Sequence, residues 1–304
     1  MFYYKIFGLS VESEIEMSSL NRGENPKDID VKISRRPIQA LEVSLTKEQK
    51  MNPYCCFTNH GETVSWLYFP FQGQFCIENG KNIYFDLNQN FDKVYIEQVL
   101  LCTCMTILLL QRGEILLHGS VLAKDGKALV ISGESGAGKS TLTDYLLGRV
   151  PLFLSDDIAA VRIGEQIMLQ PSFPLRKLCA DAIQQGDYNK EDLMRVPAEG
   201  REKYLLPCKE IYAEKQQPFY AMVVLHVGNT EEVSFQEITG AEKIKYLTEN
   251  LFRGDVYQFI GMDQMRFLQC VKIANQVRIF SLTRPKEKMT VERQAEFVMK
   301  MMQW

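Results

Sequence analysis

Residues Ile115–Leu147 read ILLHGSVLAKDGKALVISGESGAGKSTLTDYLL. Two apolar runs flank Asp125-Gly126, a dipeptide suited to a type I′ hairpin turn because both positions accept positive φ. The second run, Leu129–Ile131, enters a loop in which Gly133, Gly138, Lys139 and Ser140 fill the pattern G-x-x-x-x-G-K-[ST], with Gly136 inside it. Small residues let the backbone wrap a polyphosphate with its N–H groups turned toward the anion. A helix starting there adds the positive end of its dipole. In such a loop the lysine reaches the β- and γ-phosphates and the hydroxyl holds Mg²⁺. The candidate nucleotide-binding residues are therefore Gly133, Glu134, Ser135, Gly136, Ala137, Gly138, Lys139, Ser140 and Thr141.

The hairpin separates two kinds of fold. In most proteins with this loop, the strand before it lies in a parallel sheet and is reached by a helical crossover. Here it is entered directly from an antiparallel neighbour. The turn pairs Lys124 with Lys127, and the sum of paired positions stays constant down the ladder. His118 then falls opposite Gly133. A lone histidine on a strand is usually structural; across from a phosphate loop it becomes a candidate catalytic group.

Further on, the apolar strand Pro151–Leu154 runs into Ser155-Asp156-Asp157, with Asp156 17 residues after Lys139. Paired carboxylates behind a phosphate loop suit phosphoryl transfer. One holds Mg²⁺, and the other orients or accepts the proton of an attacking hydroxyl. Asp156, together with Ser140, is the candidate metal ligand. His118, Lys139, Asp156 and Asp157 are the candidate catalytic residues. A polar turn is the plain alternative for the pair.

The chain has 304 residues, 46% apolar and 24% charged, with a net charge of −3. No basic footprint calls for nucleic acid. No basic and apolar leader opens the chain, and Cys55-Cys56 and Cys102/Cys104 lack zinc-site spacing. Reduced thiols in a cytoplasmic protein are the expectation. Val99–Leu110 is apolar but short for a membrane span, so it reads as part of a buried helix over Phe91–Gln111.

Before that helix, Phe2–Val11, Asp28–Ser34 and Val64–Phe69 read as strands, and Asn79-Gly80 marks a hairpin within Phe75–Phe85. Residues 1–90 are thus a mostly β region that binds substrate or covers the core, and 91–304 the catalytic domain. After the aspartate pair, Ile158–Gln170 reads as a hairpin turning at Gly164-Glu165, and Leu175–Gln185 has weak helical spacing. Gln184–Pro207 is polar and is expected over the site. Phe219–Val227 and Val277–Leu282 are strands, Ala241–Phe252 and Met262–Ala274 helices, and Thr290 caps a last helix. Arg253 and Arg266 are available to steady phosphate charge.

The block LHGSVLAKDGKALVISGESGAGKS followed by LSDD resembles the catalytic domain of HPr kinase/phosphorylase. That resemblance implies an α/β fold with mixed sheets of the PEP-carboxykinase type. It also implies ATP and Mg²⁺ as cofactors, with His118, Lys139, Ser140, Asp156 and Asp157 on the family's histidine, phosphate-loop and aspartate positions. In the family the histidine and aspartates take part in serine phosphorylation. The family's downstream glutamate–isoleucine–arginine–glycine segment is missing; this region reads PSFPLRKLCADA. The opening FYYKIFGLSVESEIE, the helix before LLHGS, and PLRKL look more like the HPr-kinase-related proteins of peptide-tailoring gene clusters. These include kinases for the C-terminal serine of lasso-peptide precursors. The reading is an ATP-dependent serine kinase whose partner is a peptide or small protein with an acceptor serine, with no nucleic acid and no membrane. The rivals are a nucleotide-binding sensor or switch without transferase activity, an HPr-type serine kinase of carbon regulation, and an ordinary P-loop ATPase or small-molecule kinase. The last lacks support, since neither an ABC-type signature nor an N-K-x-D motif is present.

Overall fold

The structure is a computed structural model. It describes residues 1–38, 54–59, 62–69, 71–150, 152–179, 183, 193–196, 203–252 and 263–304. The chain divides into two compact units, Met1–Glu114 with Arg253–Asp263, and Ile115–Phe252 with Gln264–Trp304. The expected boundary at residue 90 and this division differ by the helix Lys93–Gln111, which groups with the first unit.

The first unit carries a mixed seven-stranded sheet. Strands β1 (Phe2–Ile6), β2 (Leu9–Ser13), β3 (Val31–Arg35), β4 (Tyr54–Asn59), β5 (Glu62–Phe69), β6 (Gly73–Glu78) and β7 (Asn82–Leu87) lie in the order β1-β2-β3-β7-β6-β5-β4. Phe2–Val11, expected as one strand, is a hairpin. Phe7 and Gly8 both take positive φ (50° and 71°), which closes a two-residue turn between Ile6 and Leu9. The β6–β7 hairpin turns at Asn79-Gly80 as expected, again with positive φ. The helix starts as α1 (Lys93–Gln98), capped by the Asp92 carboxylate on the Val94 and Tyr95 N–H groups. It widens to a π-helical stretch over Val99–Cys104 and ends as α2 (Met105–Gln111). Lys93–Gln111 is long and apolar enough to cross a bilayer, but 72% of its apolar 18-residue window is buried within the protein.

The second unit is a three-layer α/β arrangement around a mixed sheet. Its centre is β8 (Ile115–Lys124). On one edge lies β9 (Lys127–Gly133), antiparallel, joined through Asp125 and Gly126 at φ 50° and 71°. The ladder runs from Lys124↔Lys127 to Gly119↔Ser132, the register the turn dictates. On the other edge, β10 (Leu152–Ser155) pairs with Val121–Ala123 and β11 (Ile158–Ile163) with Ile115–His118. The two behave as one strand interrupted at Asp156-Asp157. A hairpin joins β11 to β12 (Ile167–Leu169), turning at residues 164–166.

Leu175–Cys179, expected to have helical character, is instead strand β13. It forms a small sheet with β14 (Met194–Val196) and β15 (Lys203–Pro207), in the order β13-β15-β14. Backbone pairing with a partner distant in the chain overrides its weak local spacing. Parts of the polar stretch Gln184–Pro207 lie outside the described residues. Beyond β9, strand β16 (Gln217–Gly228) and then β18 (Arg278–Pro285) run parallel to it, and β17 (Ser234–Ile238) closes the edge.

Helices cover both faces, which is why β9 and β16 read as near-continuous apolar runs. On one face, Leu142 and Leu146 of α3 (Lys139–Leu147) and Ala295 and Val298 of the last helix pack against Leu122, Leu129 and Ile131. On the other, Leu247 of α4 (Glu242–Glu249) and Cys270 and Ile273 of α5 (Gln264–Gln276) pack against Leu117, Val121 and Val130. The last helix is α6 (Val291–Met302). Thr290 stands at its N-cap without capping the backbone through its side chain.

Candidate active site

The phosphate loop leaves β9 at its carboxyl end, where ligands of such sheets bind. Gly133, Gly136 and Gly138 have φ of 135°, 85° and 103°. A Cβ on Gly133 would stand 2.4 Å from the Leu225 carbonyl oxygen of β16, so this position tolerates only glycine. Lys139 opens α3 and folds its ammonium back over the loop. It donates to the carbonyls of Gly133 at 2.7 Å and Glu134 at 3.1 Å. Glu134, Ser135, Gly136 and Thr141 are exposed, Ala137 is buried, and Ser140 is half-buried in the first helical turn.

His118 stands one step beyond the β8–β9 ladder. Its N–H donates to the Asn250 carbonyl at 2.8 Å rather than pairing with Gly133, because Asn250–Leu251 takes over that edge of β8. The Ser132 hydroxyl donates to the His118 carbonyl and also bonds the Asn250 side chain. Alternation along β8 puts His118 on the side of Ser120 and Leu122, the face that carries α3. Its ring stacks on Phe252, with centroids 5.8 Å apart and planes 7° from parallel.

The aspartate pair sits on the opposite edge of β8. Gly119 pairs with Ser132 on one side, and its N–H bonds the Asp157 carbonyl at 3.2 Å on the other. One residue of β8 thus separates the start of the loop from the carboxylates. The two aspartates are unlike. Asp156 Oδ1 accepts the Ser120 hydroxyl at 2.7 Å and the Asp157 N–H at 3.1 Å, and Oδ2 accepts the Lys177 N–H at 2.9 Å. Burial and the neighbouring Asp157 charge push its pKa up, and the bonds from Lys177 and Ser120 only partly offset this. Asp157 sits in the left-handed region at φ 63° and keeps about a quarter of its side chain exposed. Its carboxylate meets the Lys177 ammonium at 2.9 Å.

Two basic residues absent from the expectations complete the site. Lys177 of β13 holds Asp156 with its backbone and Asp157 with its side chain, while its neighbour Arg176 is buried in an ion pair with Asp144 of α3. Arg284, at the end of β18, donates from Nε to the Ala137 carbonyl at 2.9 Å and from Nη2 to the Gly136 carbonyl at 3.1 Å. It clamps the far end of the loop beside a cleft of about 140 Å³ lined by Gly138, Thr141, Lys288 and Gln294 among others. No motif marked either residue, since each reaches the site only through sheet pairing. PLRKL was the one hint, and it carried no assigned chemistry. Arg266 is buried on α5, and Arg253 lies outside the described residues.

The donor set fits Mg²⁺. Ser140 and Asp157 offer hard oxygens, and among the described residues no group of three or more His, Cys, Asp or Glu could hold a metal unaided. Most of the coordination shell would then come from phosphate and water, as Mg²⁺ prefers.

No model of a protein family matches the chain, and no curated protein does. Among solved structures, the chain is similar to an Hpr(Ser) kinase/phosphatase from Coxiella burnetii. The identity is 10% and the TM-score 0.31, over 62% of this chain and 93% of that one. The reading of the site rests on its own residues.

Proposed function

We propose that the protein is an ATP- and Mg²⁺-dependent serine kinase acting on a peptide or small protein. The observation that carries this is β8, with the phosphate loop on one edge, the aspartate pair on the other and His118 beside them. Lys139 and the loop amides neutralise charge on the transferring phosphoryl group. Ser140 and the carboxylate of Asp157 would hold Mg²⁺, which would supply neutralisation of the phosphate charge. From the sequence, Asp156 is the candidate metal ligand, with the division of roles between the two aspartates open. Its buried, three-fold hydrogen-bonded carboxylate is better suited to holding the turn, and the open role passes to Asp157. Asp157 also accepts the serine proton, late in a loose transition state that needs little base strength. His118, fixed by Phe252 and Asn250, positions the acceptor.

The resemblance in PLRKL and in the opening strands favours a peptide acceptor, the C-terminal serine of a lasso-type precursor being the specific case, in the cytoplasm. The test is incubation with labelled ATP, Mg²⁺ and serine peptides encoded beside the gene, with ATP binding measured on the same samples. Label on serine, lost in Lys139→Ala, is the expected result. Tight ATP binding with no transfer to any such peptide would leave the nucleotide-dependent switch in its place. The Lys177–Asp157 ion pair, which neutralises the open carboxylate, is the observation that favours that second reading.

A further inference from the structure

Lys177 is anchored from three directions. Strand β13 pairs with β15 from Leu175↔Pro207 to Cys179↔Lys203, so Lys177 lies mid-strand. Its N–H is held by Asp156, and the adjacent Arg176 is tied to α3. Its ammonium, at the end of a four-carbon stem, rests on Asp157 at 2.9 Å, with side chains 21% and 26% exposed. Two consecutive carboxylates, one of them buried, thus both meet Lys177, one through its backbone N–H and the other through its ammonium.

We propose that the Lys177 ammonium is the counter-cation of Asp157 in the nucleotide-free site and yields that carboxylate to a divalent cation only when a nucleotide brings one in. This rests on the reading of the site given above. A bare Mg²⁺ would have to displace an ammonium and shed tightly held water. Among the described residues, no group of three or more His, Cys, Asp or Glu stands ready to complete its shell. A nucleotide changes both sides of the exchange. Its phosphates would complete the cation's oxygen shell, and they would offer the displaced ammonium a new anion. Each anion keeps a cationic partner: the ammonium passes from carboxylate to phosphate as the divalent cation takes the carboxylate. Lys177 is therefore a positioning residue that couples metal entry to nucleotide entry.

The test uses the full chain and Mn²⁺ alone as a spectroscopic probe, read from loss of the free-ion resonance. Wild type is expected to bind Mn²⁺ weakly without nucleotide. Lys177→Met and Lys177→Gln are expected to bind it roughly tenfold more tightly, the scale on which a neighbouring opposite charge acts on a carboxylate. Lys177→Arg, which keeps the charge, should behave as wild type, and adding Asp157→Asn to Lys177→Met should abolish the gain. Equal Mn²⁺ binding by wild type and both neutral variants overturns the proposal, as does tight binding by wild type alone. Labelled ATP binding in the presence of Mn²⁺, on wild type and Lys139→Ala, separates the two levels. Absent ATP binding sinks the kinase reading. ATP binding that depends on Lys139, with no effect at Lys177, sinks only this inference.

Discussion

The two turns on either edge of β8 handle charge by opposite means. The loop after β9 works with its backbone. Three glycines at positive φ turn it, a helix dipole backs it, and Lys139 rests on its carbonyls. The Asp156-Asp157 turn works with side chains recruited from elsewhere. Ser120 comes from β8 and Lys177 from β13, and neither is near in sequence. A backbone cradle takes its shape from its own φ angles, with Arg284 as an outside brace. A carboxylate pair is defined by what neutralises it, so its role changes with its partners. That contrast makes the loop the binding half of the site and the aspartate turn the half where chemistry and control meet.

The largest expected effect breaks the second half alone. Asp157→Asn keeps size and hydrogen bonding but removes the proton acceptor and the charge facing the cation. Phosphotransfer should fall by about 10²–10⁴-fold, the range for loss of a general base. ATP binding, set by the other turn, should fall far less. A transfer assay and a binding assay on one preparation check it, and equal losses in both would erase the distinction between the turns.

Lys139→Ala breaks the first half. Turnover should drop by about 10²–10³-fold, as when one preorganised charge donor is lost, and nucleotide affinity should fall with it. Retained affinity would mean that the loop amides and Arg284 suffice. Arg284 donates to two loop carbonyls, so it supports the shape of the cradle rather than its chemistry.

How legible each half was follows from the same difference. The Asp125-Gly126 turn and the glycine pattern act over neighbouring residues, so register and loop could be read from sequence down to Gly119↔Ser132. The ladder's end could not, because Asn250–Leu251 arrives from more than a hundred positions away to take the edge beside His118. Lys177 and Arg284 were missed for the same reason. The mis-read stretch Leu175–Cys179 is stranded by its pairing with β15, not by its own residues.

Gly133→Ala sharpens the comparison from the loop side. The new methyl would stand 2.4 Å from the Leu225 carbonyl at a φ that alanine rarely adopts. A loss of about 1–3 kcal/mol is expected from the backbone strain, together with weaker ATP binding. Thermal melting checks the first and a binding titration the second. A variant as stable as wild type would show that β9 and β16 can move apart and that the cradle is not rigid.

The smallest effect lies within the aspartate turn and asks whether its two residues differ as their partners imply. Asp156 accepts from a backbone N–H at each oxygen, Asp157 N–H at Oδ1 and Lys177 N–H at Oδ2. An asparagine has one oxygen. Whichever way its amide turns, its NH₂ faces one of those N–H groups and leaves a buried donor unpaired, at a cost of about 1–3 kcal/mol. Asp157→Asn loses a partly exposed ion pair, worth about 0–1 kcal/mol. Asparagine tolerates the left-handed φ as well as aspartate does. Asp156→Asn should therefore melt below Asp157→Asn. The pH dependence separates them further. The pKa of Asp156 is raised in the folded state, so the fold binds that proton more tightly than the unfolded chain does. Its contribution is greatest below the ordinary carboxylate range and declines as pH rises toward the raised value. Asp156→Asn removes that slope, and Asp157→Asn leaves it partly in place by deleting only the neighbouring charge. Melting curves of the three proteins from acid to neutral pH decide the matter. Identical slopes and identical midpoints would mean that the two carboxylates share their partners and that the division of roles within the turn is wrong.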